Sequence, residues 1–81
     1  MTQYDRLKTY LAQSEGTDML LTFKKINEII SPDHLPASAY EYRKWWENSA
    51  SNPQASSWLD AGWSVATVNL IHHEVTFTRG H

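Results

Sequence analysis

Apolar positions near the start of the chain recur with helical spacing and then change to a short continuous run. Tyr4, Leu7 and Leu11 stand at i, i+3 and i+7, which predicts an amphipathic helix that ends near Gln13. The polar stretch that follows contains a glycine and favours a turn. The run Met19–Thr22 then predicts a brief strand.

A second helix is predicted directly after that strand. Thr22 has a side chain suited to an N-cap, and Pro32 ends the helical pattern. The apolar residues between them fall on one helical face, which must be buried: Phe23, Ile26, Ile29 and Ile30.

Two further helices are predicted in the middle of the chain. Ser38 and Glu41 have the S-x-x-E spacing of a capping box, so we expect a third helix over Ala39–Asn48. The Asn-Pro dipeptide at 52–53 opens a fourth helix, because proline suits the first helical position. Gly62 ends this helix as a left-handed cap.

After the fourth helix the apolar period becomes two, which predicts a C-terminal hairpin with the His-His dipeptide as its two-residue turn. In this register Leu70 lies opposite Val75. Val68 then lies opposite Phe77, so that all four apolar side chains share one face.

The whole order of elements predicts one α+β domain over residues 1–81. Helix, strand, helix, helix, helix and an antiparallel hairpin form a winged helix-turn-helix-like arrangement with one additional helix before the hairpin. The third helix of that architecture enters the major groove, and the hairpin wing contacts the DNA backbone or minor groove. A β-bulge is also expected near Ala66–Thr67, because the apolar residues on either side of it are out of phase.

Composition narrows the class of protein. Four Trp, four Tyr and two Phe give an 81-residue chain large side chains for a small core. The chain has no cysteine, so neither a disulfide framework nor a thiolate metal site is expected, and a cytoplasmic protein is the default. No apolar run has the length of a signal peptide or a membrane span, so we expect no membrane association.

Four blocks of the sequence resemble a small, functionally uncharacterised domain family of bacteria and their phages: LTFKKINEII, LPASAYEYRKWWENS, QASSWLDAGWSVATVNL and VTFTR. The shared pattern reads LP-x-SA, YR-x-WW-x-N, WL-x-AGW-x-V and V-x-F-x-R, and it extends from Tyr4 to Arg79. The resemblance brings no established activity. Members of this family occur alone or attached to nuclease-like domains, which implies DNA-related or defence-related work.

The adjacent tryptophans of the second block, Trp45 and Trp46, point about 100° apart on a helix, so they cannot both face a thin core. Trp46 lies among the apolar positions and is the better core candidate. Trp45 falls at the edge, where it either packs beneath the fourth helix or, with Tyr40, forms a surface that contacts a partner.

A basic and aromatic surface is the candidate nucleic-acid site, because cations contact phosphate while aromatic rings stack on bases. Its candidate residues are Lys24, Lys25, Tyr40, Arg43, Lys44, Asn48 and Arg79. Four of them have a plain alternative. Asn48 also suits a helix C-cap, the lysine pair also suits a solvated surface, and Arg79 also suits an ion pair.

These observations favour a non-enzymatic DNA-binding module. The net charge is −2 and residues 23–48 are balanced in charge, so specific binding would need a homodimer or a fused partner. The alternative is a protein-interaction module, such as a phage-encoded inhibitor of a host defence complex, because interface cores are rich in aromatic residues. We expect no cofactor, no metal and no catalytic residue, since the histidines lack metal-ligand spacing and no glycine-rich phosphate loop is present.

Overall fold

The computed structural model describes residues 2–80, so both limits of the predicted domain, residues 1 and 81, lie outside the described part. The elements follow in this order: α1 (Asp5–Ala12), β1 (Asp18–Thr22), α2 (Phe23–Ile30), α3 (Ala37–Glu41), a 3₁₀ helix (Arg43–Trp46), α4 (Pro53–Asp60), β2 (Ser64–Asn69) and β3 (Glu74–Thr78). The α+β class is confirmed.

The three strands form one antiparallel sheet in the order β1-β3-β2. The early strand therefore joins the hairpin and pairs with β3, with Leu21 opposite Val75 and Met19 opposite Phe77. The inner face of β3 is apolar because Val75 and Phe77 are both buried there. The outer face carries mainly threonine and other polar residues, which suit a solvated sheet face.

The predicted hairpin register is wrong, whereas the predicted bulge is confirmed. Val68, not Leu70, lies opposite Val75, and the loop between the strands has four residues, 70–73. The side chain of Asn69 explains the longer loop, because its Oδ1 accepts the next two free N–H groups, those of residues 71 and 72, at 3.0 and 2.9 Å. The register shift between Val65 and Thr67 keeps the apolar residues of β2 on the inner face.

The predicted third helix is not continuous. α3 ends at Glu41, Tyr42 is extended (φ −126°, ψ 123°), and a 3₁₀ turn follows. The capping box is absent too, because α3 begins two residues earlier, after Pro36, with no side-chain cap. Both indoles lie after the break, in the 3₁₀ helix, where Trp46 is 2% exposed and Trp45 is half-buried. Neighbours on a 3₁₀ helix point about 120° apart, which agrees with the full burial of Trp46 alone.

The ends of α2 and α4 follow the sequence signals. Thr22 Oγ1 accepts the Lys25 N–H at 3.0 Å and caps α2, as predicted. Pro53 occupies the first turn of α4. Gly62 follows α4 with φ +89°, the left-handed conformation expected of a terminating glycine.

The core is organised around a column of rings beneath the helices. Phe23 stacks on Trp46 with ring centroids 5.0 Å apart, and Trp46 stacks on Trp58 at 5.9 Å. Helices α1, α2 and α4 cover the column with fully buried aliphatic side chains: Leu7, Leu11, Ile26, Ile30 and Ala55. Trp63 joins α1 to the sheet, since its Nε1 donates to the Leu11 carbonyl at 2.9 Å. The prediction that Trp46 belongs to the core is confirmed.

Candidate functional site

Two of the predicted ligand contacts, Arg43 and Asn48, bind the outer edge of β2 instead of lying free. Arg43 Nη1 donates to the Val68 carbonyl at 2.6 Å. Asn48 Oδ1 accepts from the Val65 N–H at 2.8 Å, and its Nδ2 donates to the Val65 carbonyl at 3.0 Å. These side chains supply the hydrogen bonds that a further strand would make, and Asn48 does not cap a helix.

Arg79 is also bound within the chain. Its guanidinium donates to the carbonyls of Gly16 at 2.6 Å and Ser14 at 3.2 Å, and it lies 4.7 Å from the centroid of the Trp63 ring. It therefore holds the loop between α1 and β1 against the end of β3. Its bonds go to backbone carbonyls, so the alternative of an ion pair does not describe them.

The two lysines of α2 lie in different depressions. Lys25 lies between α1 and α2, 5.9 Å from the centroid of the Tyr10 ring. Lys24 lies on the other side of the helix start, beside Tyr40. Lys44 is exposed on the 3₁₀ helix. The structure thus divides the predicted basic surface and leaves Lys24 and Tyr40 together.

Lys24 and Tyr40 line a depression of about 320 Å³. We call it the α2–loop cleft and define it by Lys24, Tyr40, His72 and His73, which come from α2, α3 and the loop between β2 and β3. The loop is fixed to α2 because the Phe23 N–H donates to the His73 carbonyl at 2.8 Å, and His73 is held at φ 57°.

Tyr40 is held in place by Asn27. Asn27 Nδ2 donates to the Tyr40 hydroxyl at 3.0 Å, and Asn27 Oδ1 accepts the Leu35 N–H at 2.7 Å. The amide therefore joins α2 to the segment before α3 and orients the phenol in the cleft. The hydroxyl hydrogen of Tyr40 remains available to donate to a ligand.

Three rings at the cleft form a nearly equilateral triangle. The centroids of Phe23 and His73 lie 5.4 Å apart, those of Tyr40 and His73 5.0 Å, and those of Phe23 and Tyr40 5.2 Å. His73 is parallel to Phe23 within 11°, whereas Tyr40 is perpendicular to both. Tyr40 therefore flanks the parallel pair, and the outer face of the exposed His73 ring is covered by neither.

His73 thus forms the surface end of the core column of rings. Sequence reasoning placed both histidines at a hairpin tip and missed the contact of His73 with α2. The contact joins residues 23, 40 and 73, and no local pattern links positions so far apart. The aromatic residue at the start of α2 was the one available signal, and it was assigned to the core.

The buried phenol of Tyr4 lies outside the cleft. Burial raises the pKa of Tyr4, with a further contribution from the Asp33 carboxylate, while a hydrogen bond with Gln3 acts in the opposite direction. Tyr4 lies in the core against Trp45. Residues 2–80 contain no group of three side chains suited to hold a metal ion. Within the same residues, no helix combines the length and apolar character needed to cross a bilayer.

The fold and cleft define a small α+β domain in which a three-stranded antiparallel sheet is covered on one face by helices. The chain belongs to the family described as Domain of unknown function (DUF7662), whose model matches residues 4–80. No curated protein and no solved structure matches the chain.

Proposed function

We propose that this chain is a non-enzymatic nucleic-acid-binding module of winged-helix type that contacts single-stranded DNA through the α2–loop cleft. The order of elements supports the winged-helix relationship, because three helices and an early strand precede a hairpin to which that strand adds in the order β1-β3-β2. α4 is the additional element. The resemblance to a bacterial and phage domain family, which implies DNA-related or defence-related work, agrees with this proposal.

The observation that carries the proposal is the uncovered face of His73 in a cleft that also holds Lys24. A nucleobase stacked on this imidazole would extend the column of rings, and the ammonium of Lys24 would contact the adjacent phosphate. The hydroxyl of Tyr40 would donate to a base edge or a phosphate oxygen. Stacking on an exposed ring requires an unpaired base.

The form of α3 favours single strands over duplex DNA. A helix that reads a major groove must present several turns, whereas α3 has five residues and a length of about 8 Å. Arg43 and Asn48, which a recognition helix would have offered to DNA, are bound to β2. The cleft replaces them as the contact surface, with exposed Lys44 as a further source of positive charge.

Fluorescence anisotropy with a labelled single-stranded oligonucleotide tests this proposal. We expect binding that weakens as salt rises from about 50 to about 200 mM. Replacing His73 with Asn removes the ring but tolerates the left-handed backbone, and the affinity should fall by about 5- to 100-fold. Lys24→Glu should weaken binding and reduce the dependence on salt.

Lys8→Glu is the matched control for Lys24→Glu, because Lys8 is an exposed lysine on α1 whose partner is Asp60 at 3.9 Å. It should leave the affinity almost unchanged. Absence of binding at about 50 mM salt would contradict the proposal. Equal effects of the Lys24 and Lys8 variants would show that the cleft is not the binding site.

A second candidate function, a protein-interaction module such as a phage-encoded inhibitor of a host defence complex, is favoured by exposed apolar side chains. Ile71 is 87% exposed at the tip of the β2–β3 loop, and Tyr42 is 60% exposed at the break after α3. Ile71→Ser should abolish capture of a bacterial protein in a pull-down read by mass spectrometry, whereas Lys24→Glu should not. Capture that survives Ile71→Ser would count against this candidate.

A further inference from the structure

The outer edge of β1 presents free backbone groups. The backbones of Thr17 and Phe23 both hydrogen-bond across the sheet, to residues 79 and 73, at 2.8 Å each. Backbone groups alternate in direction along an antiparallel strand. The N–H and C=O groups of the even-numbered residues between Thr17 and Phe23 therefore point away from β3. These residues are Asp18, Leu20 and Thr22.

The two outer edges of the sheet differ. On β2 the edge is occupied, because Asn48 bonds both backbone groups of Val65 and Arg43 bonds the carbonyl of Val68. On β1 the backbone groups of Leu20 point away from β3 and bond no loop or helix within residues 2–80, and the side chain is 57% exposed. An open edge that carries an apolar side chain is a template for pairing with another strand.

The charges that flank β1 indicate which strand fits. Glu15 and Asp18 lie at its start, and Lys24 and Lys25 follow its end. Within the described residues, none of these four groups has an ion-pair partner. Two identical strands in antiparallel orientation bring the start of each beside the end of the other, so acids meet lysines. A parallel arrangement would bring like charges together.

We propose that β1 pairs antiparallel with β1 of a second copy of this chain, about a two-fold axis beside Leu20. Leu20 then lies opposite its own counterpart and exchanges both backbone hydrogen bonds with it, while Asp18 lies opposite the counterpart of Thr22. The two sheets of three strands merge into one continuous sheet. This dimer does not depend on nucleic-acid binding.

Sedimentation equilibrium without nucleic acid, at protein concentrations up to about 1 mM, measures the dimer dissociation constant. Leu20→Pro removes the outward N–H, and proline is tolerated at a strand edge where that group makes no internal bond. We expect the dissociation constant to rise at least about tenfold. Leu20→Ala retains the N–H and should weaken the dimer less. Near-ultraviolet circular dichroism checks that each variant is folded.

A charge-reversal pair gives a second test on exposed residues, so that a folding defect cannot decide the outcome. The double variants Glu15→Lys with Asp18→Lys, and Lys24→Glu with Lys25→Glu, should each be monomeric at low salt, whereas their equimolar mixture should form a heterodimer. A wild-type monomer at about 1 mM would overturn the proposal. A folded Leu20→Pro variant with unchanged dimerisation, or a mixture that stays monomeric, would overturn it equally.

Discussion

The side-chain amide of Asn48 hydrogen-bonds both backbone groups of Val65, accepting from its N–H at 2.8 Å and donating to its carbonyl at 3.0 Å. The same Oδ1 accepts from Nε1 of the buried Trp58 at 2.9 Å. One side chain therefore closes the edge of β2, satisfies an indole and fixes the segment between the 3₁₀ helix and α4. Its position is set by the fold, although its residue type suggested a ligand contact.

Replacing Asn48 with Ala should lower the free energy of unfolding by about 2–4 kcal/mol, because three hydrogen bonds are lost and the Trp58 N–H is left unsatisfied. Urea denaturation measures the loss. Asn52→Ala is the control, since Asn52 precedes α4 but makes no side-chain cap bond, and it should cost less than about 0.5 kcal/mol. Similar costs at both positions would contradict the role given to Asn48.

The adjacent tryptophans should differ in their contribution to stability. Trp46 lies between Phe23 and Trp58, and its Nε1 donates to the Ala39 carbonyl at 2.8 Å. Trp46→Leu should therefore destabilise the chain by about 3–5 kcal/mol. Trp45→Leu should cost about 1–2 kcal/mol, because that ring is half-buried and makes edge contacts, with Trp46 at 4.7 Å and Tyr4 at 6.0 Å.

Far-ultraviolet circular dichroism should follow the unfolding of these two variants, since each substitution removes a fluorophore. A Trp45→Leu variant as unstable as the Trp46→Leu variant would show that Trp45 contributes as much to the core. In that case the interpretation of Trp45 as an edge residue, which packs on α4 while part of its ring faces solvent, would be wrong.

The order of elements could be predicted because each one is specified locally. Thr22 caps α2, Gly62 ends α4, and the phase change near Ala66 marks a bulge. The break at Tyr42 could not be predicted in this way. The local pattern favours a continuous helix there, and no residue type near Tyr42 signals its extended backbone.

The candidate site was less predictable because long polar side chains bind the backbone of distant residues. Asn48 and Val65 are 17 positions apart, and Arg79 and Gly16 are 63 apart. Such a contact leaves no periodic signal, so an arginine or asparagine that completes a strand edge resembles one that binds phosphate. The cleft was missed for the same reason, since the loop that carries His73 returns to α2 only in the folded chain.

Substitution of Gly62, the glycine that ends α4, should lower the stability of the chain. Its N–H donates to the Leu59 carbonyl at 3.0 Å, and the Trp63 N–H donates to the Trp58 carbonyl at 2.9 Å, the two bonds of a Schellman motif. With φ at +89°, Gly62→Ala should lower the free energy of unfolding by about 1 kcal/mol. Gly80→Ala is the control in thermal unfolding, because nothing lies within 4 Å of an added Cβ and φ is not left-handed.

The stability of the chain should depend on pH in the alkaline range through Tyr4. Burial raises the pKa of this phenol above its ordinary value of 10.0, so the folded chain resists ionisation that the unfolded chain undergoes first. The contribution to stability is complete below about pH 10 and is lost as pH rises through the raised folded pKa. Tyr4→Phe should therefore reduce the alkaline decline in urea-derived unfolding free energy. Tyr42→Phe, at an exposed position, should leave the decline unchanged, and equal pH profiles for wild type and Tyr4→Phe would contradict the assignment.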